Sequence, residues 1–166
     1  MGEFFFSGSH NAKLDEKNRL VLPQEFRYGL IENGRLEFAV GFGIGGCLTI
    51  YRQSDIVKIA KEFRKSQHVA KYQKFFTLFF STLYQTTCDK IGRFLVPVRL
   101  KNAVNIDKEV VIAGVLDRVE LWPKDTYENE FNKLMQGDSE GSWNLASITE
   151  EAFSLLNGKE ENAPVS

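Results

Sequence analysis

The feature that most constrains this chain is a duplication. Asp15-Glu-Lys-Asn-Arg19 runs into Leu-Val-Leu-Pro23, and Asp89-Lys-Ile-Gly-Arg93 runs into Phe-Leu-Val-Pro97. Asp15 and Asp89, Arg19 and Arg93, Pro23 and Pro97, Leu30 and Val104, and Phe38 and Ile112 all keep an offset of 74 residues. Beyond the glycine-rich segment Gly41 to Gly46 the offset falls to 71, aligning Tyr51 with Trp122 and Phe63 with Leu134. A fixed offset over so many positions marks two copies of one unit. A strand-turn-strand-helix-strand unit of about 50 residues is too small to close its own sheet. The copies are therefore expected to complete one barrel about a pseudo-twofold axis, with the two Asp-x-x-x-Arg turns related by it.

Composition allows this. The chain has 166 residues, 43% hydrophobic and 26% charged, enough for the core of one modest domain or two small units sharing a core. Cys47 and Cys88 are too few, and too far from His10 and His68, for a disulfide framework or a metal site, and a reducing cytosol fits them best. Phe4-Phe-Phe6 lacks a basic flank and the length of a signal or a span, so no membrane segment is expected. The net charge of -1 argues against a uniformly basic surface, but the charge is uneven. Arg52 to Lys74 holds seven basic and two acidic residues, and Lys124 onward holds three basic and nine acidic. The basic stretch reads first as the solvated face of a helix, and the acidic tail as simple solvation.

Taken in order, Phe4 to Phe6 predicts an edge strand leading into Asn11 to Leu14, and Arg19 to Leu22 a returning strand. Pro23 opens a helix over Gln24 to Ile31 with Phe26 and Leu30 inward, and Asn33-Gly34 stops it. Leu36 to Val40 and Cys47 to Tyr51 form a hairpin across the glycines, which do not make a phosphate loop because no Lys-Ser/Thr and no helix follow. Ser54 is the expected cap of a helix striped by Ile56, Ile59, Ala60 and Phe63. Tyr72, Phe75, Phe76, Phe79, Phe80 and Leu83 make a wide aromatic stripe on the next helix, to be covered by core packing or in part by another subunit. The second copy then repeats: strand Tyr84 to Cys88, turn Asp89 to Gly92, strand Arg93 to Val96, a helix after Pro97, and a hairpin of Glu109 to Gly114 with Arg118 to Trp122. In the tail, Gln136 to Ser142 has linker composition, Thr149 is the expected cap of a short helix burying Phe153, Leu155 or Leu156, and Lys159 onward reads as frayed.

In the repeated turn, Asp accepts backbone N–H bonds from the residues just ahead of it, and Arg stands at the base of the returning strand. The pair either only holds the turn or presents its Arg, with Lys17, Asn18 and Lys90 around it, to phosphates and guanine edges, which a guanidinium grips in a fork.

From Phe4 to Leu134, on the two motifs with their Arg-Leu-Val-Leu-Pro and Arg-Phe-Leu-Val-Pro continuations and the Val-Glu-Leu-Trp122 strand, the chain resembles the MraZ family of bacterial transcriptional regulators. That resemblance implies a β-rich α+β fold: a pseudo-twofold swapped-hairpin, AbrB-like barrel from two tandem copies, with helices packed outside. The chain is thereby expected to divide into a first half over residues 1–68 and a second over 69–136, followed by an acidic tail over 137–166 that lies beyond the resemblance. It implies a cytoplasmic, nucleoid-associated, DNA-binding regulator of the division and cell-wall gene cluster. The family assembles as a ring, octameric or dodecameric, on direct repeats of double-stranded DNA upstream of its own gene. Carried onto this chain, the DNA-binding residues are Lys13, Lys17, Asn18, Arg19, Lys90 and Arg93, with Asp15, Asp89 and Gly92 shaping the turns. Asn18 departs from the family's usual Gly. With Lys17 standing where the second turn has Ile91, the first turn is the expected DNA reader, and the second chiefly the other half of the barrel.

An enzyme is disfavoured: the two His are isolated and no Ser or Cys nucleophile sits in a recognisable elbow. No cofactor or metal is expected. The other reading is an oligomeric scaffold or antitoxin-like interaction module that grips a protein through the aromatic helix.

Overall fold

The computed structural model describes residues 3–137 and 143–157 and divides into two compact units, Met1–Lys124 and Asp125–Ser166. In the first unit the duplication is visible as architecture. The first copy supplies strands β1 (Ser9–Lys13) and β2 (Arg19–Val21), helix α1 (Gln24–Leu30), a small hairpin β3 (Ile31–Glu32) and β4 (Arg35–Leu36), then β5 (Phe38–Phe42) and β6 (Leu48–Arg52). Helices α2 (Gln53–Arg64) and α3 (Gln73–Thr82) follow, joined through a short 3-10 turn at Ala70–Tyr72. The second copy supplies β7 (Tyr84–Thr86), β8 (Arg93–Leu95), α4 (Val98–Ala103), β9 (Glu109–Val115) and β10 (Arg118–Pro123).

The fold is α+β around a six-stranded antiparallel sheet in the order β1-β9-β10-β6-β5-β7. The first strand of each copy pairs with the hairpin of the other: β1 with β9, and β7 with β5. The second strands pair with each other as a separate ribbon, with Leu20 opposite Phe94. Leu20 and Phe94 are equivalent under the 74-residue offset, and Thr49 and Glu120, opposed in the β6–β10 pairing, are equivalent under the 71-residue offset. Pairing of equivalent residues is what a local twofold axis produces. The closed barrel expected from the sequence is not formed by this hydrogen bonding, because the ladder ends at β1 and β7.

The main core draws on both copies: Leu20, Leu22, Phe26 and Leu30 from the first, and Phe94, Val96, Leu100 and Val104 from the second. These are the alternating strand positions and the i, i+4 helix positions read from the sequence, and their burial is the main force holding the copies together. A second cluster forms where Ile56 of α2 and Phe79 of α3 pack on Ala39 of β5, with Tyr51, Ile59, Phe63, Phe80 and Leu83 around them. Phe79 is buried, whereas Tyr72, Phe75 and Leu78 stay exposed.

Several local expectations are corrected. Phe4 to Phe6 is not an edge strand: only Phe6 bridges the sheet, at Leu116, while Phe4 meets Phe6 edge-on at 4.9 Å and lies over Gly29 of α1. Asn33-Gly34 does not stop α1, which ends at Leu30 where Ile31 turns extended into β3. Asn33 and Gly34 have positive φ, 53° and 75°, and close the β3/β4 hairpin as a two-residue turn. Ser54 is not a cap, since it lies inside α2. Its N–H and hydroxyl instead donate to the Glu32 carboxylate, so β3 caps α2 from outside.

The second unit contains helices α5 (Lys124–Gln136) and α6 (Leu145–Ser154). Asn144, rather than Thr149, caps α6, accepting the Ser147 N–H at 3.0 Å, and the Thr149 hydroxyl turns back to the Leu145 carbonyl. Phe153, Leu155 and Leu156 are exposed rather than buried. The segment from Lys159, and Asp138 to Ser142 of the expected linker, fall outside the described residues. Among the described residues no helix is long and apolar enough to cross a membrane.

Candidate nucleic-acid interface

Each Asp-x-x-x-Arg turn is a closed hydrogen-bonded loop. In the first, Asp15 Oδ1 accepts the Lys17 and Arg19 N–H groups, each at 2.9 Å, and Oδ2 accepts Arg19 Nε at 2.8 Å. The backbone adds Asn18 N–H to the Asp15 carbonyl and Asp15 N–H to the Arg19 carbonyl. In the second, Asp89 Oδ1 accepts the Ile91 and Arg93 N–H groups at 3.0 and 2.8 Å, Oδ2 accepts Arg93 Nε at 2.7 Å, and both backbone bonds recur. A short acidic side chain is needed here because only a carboxylate two bonds from the backbone can accept three donors within its own turn.

The fourth turn residue must take a left-handed conformation. Asn18 does so at φ 61° and Gly92 at 97°. Asn is among the few residues with a Cβ that visit this region readily, so the departure at position 18 keeps the turn intact.

The bonding also sets the charges. The Arg93 backbone N–H and then its side chain hold the Asp89 carboxyl down at about 2, and the Arg19 groups lower Asp15 in the same way. Both turns stay anionic at their centre and cationic at their rim at neutral pH.

The two turns are cross-linked. Leu22 N–H donates to the Gly92 carbonyl at 2.9 Å, and Val96 N–H to the Asn18 carbonyl at 2.8 Å, extending the β2–β8 ribbon by one rung on each side. The ribbon thereby joins the two turns, the first entering β2 beside the end of β8 and the second entering β8 beside the end of β2. Lys17 and Lys90 are exposed on the turns, and Lys13 is exposed at the end of β1 opposite Glu109. None of these three lysines makes an ion pair among the described residues. Arg19 and Arg93 are about one-third exposed and fold back onto their own Asp through Nε, so each both fixes its turn and keeps its distal nitrogens out of that bond.

Sequence reasoning missed Arg27. From α1 its Nη1 donates to the Ile91 carbonyl at 3.0 Å, and a Cβ placed on Gly92 would lie 1.3 Å from the same nitrogen. The two residues are far apart in the chain, and the difference between Asn18 and Gly92 was the one available signal.

A duplicated α+β framework that pairs two basic, carboxylate-centred turns across a twofold axis defines a β-rich protein with one conserved geometry written twice. The chain belongs to the MraZ protein family, whose sequence model matches residues 5–76 and again 79–142. It is similar to the transcriptional regulator MraZ of Clostridium acetobutylicum, 34% identical over 131 residues that cover 77% of this chain and 87% of that protein. It is likewise similar to the transcriptional regulator MraZ of Desulforamulus reducens, 35% identical over 124 residues, covering 74% of this chain and 84% of that protein. Helix α6 lies beyond both family matches.

Proposed function

We propose that the chain is a sequence-specific, DNA-binding transcriptional regulator that acts in the cytoplasm at the nucleoid and binds upstream direct repeats as a homo-oligomeric ring. What supports this above all is the cross-linked pair of turns: one two-stranded ribbon carries Arg19 and Arg93, with Lys17 and Lys90 exposed on the turns that lead into its two strands. Lys13, Lys17 and Lys90 supply phosphate contacts, Asn18 and Lys17 line the first turn, and the distal nitrogens of Arg19 and Arg93 reach a phosphate or a guanine edge. Residues 1–68 and 69–136 act as two halves that exchange strands within one fold, and residues 137–166 as an acidic tail.

The magnitudes require assembly. A single subunit with a handful of phosphate contacts binds weakly and loses affinity steeply with salt. Several subunits on spaced repeats gain avidity by about a hundredfold or more where geometry permits. Exposed Tyr72, Phe75 and Leu78 along α3 offer an apolar surface for that assembly. The target is the division and cell-wall gene cluster. The decisive experiment is a salt-controlled gel shift with a duplex carrying the repeats upstream of the chain's own gene. Arg19→Ala abolishes the shift while leaving the thermal melt close to wild type; undiminished binding by this variant would sink the reading. A complex that forms only with a protein partner in size exclusion with light scattering would favour an interaction module instead.

A further inference from the structure

The two turns share the same internal hydrogen bonds but differ in what stands behind them. Behind the second, the Arg27 guanidinium reaches across from α1, donates to the Ile91 carbonyl and occupies the space a side chain at position 92 would need. Under the 74-residue offset the counterpart of Arg27 is Lys101 of α4, whose side chain makes no hydrogen bond or ion pair among the described residues. The Lys17 carbonyl, counterpart of the Ile91 carbonyl, meets no donor among them either. The first turn accommodates Asn18 with its Cβ, whereas a Cβ at position 92 would have to displace the Arg27 guanidinium.

We infer that Arg27 is a positioning residue: it pins the second turn from behind, and its guanidinium adds a steric bar to a left-handed backbone that already favours glycine at position 92. The two fourth-position residues share the same five internal bonds but differ in backbone angle: Asn18, at φ 61°, lies in the left-handed region that Asn visits, whereas Gly92, at 97°, lies beyond it. The Ile91 carbonyl adjoins Gly92, which in turn leads directly into Arg93. Fixing that carbonyl fixes the pose in which Arg93 leaves the turn. The second turn is therefore a preset element and the first an adaptable one. The consequence for ligand binding rests on the DNA reading above; the consequence for position 92 does not.

The test uses the full-length protein with Arg27→Ala, Arg27→Lys, Gly92→Asn and the double variant Gly92→Asn with Arg27→Ala, and Arg19→Ala as reference. In thermal melts, Gly92→Asn lowers Tm more when Arg27 is present than in the Arg27→Ala background, where only the left-handed strain at position 92 is left. An equal loss in both backgrounds overturns the clamp. In gel shifts across a salt series, Arg27→Ala weakens binding about tenfold with the salt slope unchanged, and Arg27→Lys, which keeps a donor for the carbonyl, recovers most of the loss. A slope reduced by about one shows Arg27 touching phosphate itself and overturns the positioning role. Unchanged affinity for Arg27→Ala overturns it too. A wild-type protein that ignores the duplex defeats the DNA reading, and the thermal comparison then decides the clamp by itself.

Discussion

The first and second turns are chemically alike and mechanically different. Each is centred on an Asp with three donors and closed by an Arg that bonds back through Nε. Yet the first carries Lys17 and Asn18, while the second carries the apolar Ile91 at its tip, 61% exposed, and is backed by Arg27. Duplication supplied two equal frames, and the residues around them have divided the work. One turn keeps donors and freedom; the other keeps a fixed shape.

The comparison can be broken or sharpened in order of expected effect. The largest contrast is in DNA binding: Arg19→Ala is expected to lower affinity by about a hundredfold or more, amplified by multivalency, and Arg93→Ala by about tenfold. Equal losses in a salt-matched gel shift would make the turns equal readers. Next is stability. Gly92→Ala places a Cβ in a left-handed conformation against Arg27 and is expected to cost about 2–3 kcal/mol in urea unfolding, whereas Asn18→Gly stays within about 0.5 kcal/mol. A smaller effect is on salt dependence: Lys17→Ala should reduce the slope of log affinity against log salt by about one, and Lys90→Ala by less.

The smallest is the acid response. A carboxyl held below its unfolded value of 3.8 favours the folded turn fully above that pH, and this contribution is lost as pH falls through the folded value, about 2 for Asp89. Carbon-detected NMR titration should find the Asp89 carboxyl changing near pH 2, with the Ile91 and Arg93 amide signals moving together with it. A midpoint near 3.8 would mean that the turn opens in solution.

What was legible in the sequence is what depends on local pattern or on the repeat. The constant offset gave the two copies, Pro23 and Pro97 marked the helix starts, and Asp15 and Asp89 could be assigned to the turns from side-chain length alone. What stayed hidden depends on partners far along the chain. Ser54 looks like a cap until Glu32 supplies the acceptor from another element. Phe4 and Phe6 look like a strand until α1 offers Gly29 and Phe26 for them to pack on. Thr149 lost to Asn144 by local competition, since an Asn just ahead of the first turn reaches the Ser147 N–H directly. Arg27 is the plainest case, because its partner is a backbone carbonyl, which no side-chain pattern reveals.

The exchange of strands between copies bears on how the chain is made. Ser9 finds its partner at Ala113, and the β2 strand at Arg19 finds its own at Leu95. During synthesis, β1 and β2 therefore leave the ribosome long before either pairing can form, and they wait with backbone donors and apolar faces uncovered. The α2–α3 segment that separates the copies emerges in that interval, and its helices need only short-range contacts to start forming. Birth order thus favours a nascent chain with its middle organised first and its ends last, and a truncated chain that stops before β8 and β9 has no way to complete its opening strands.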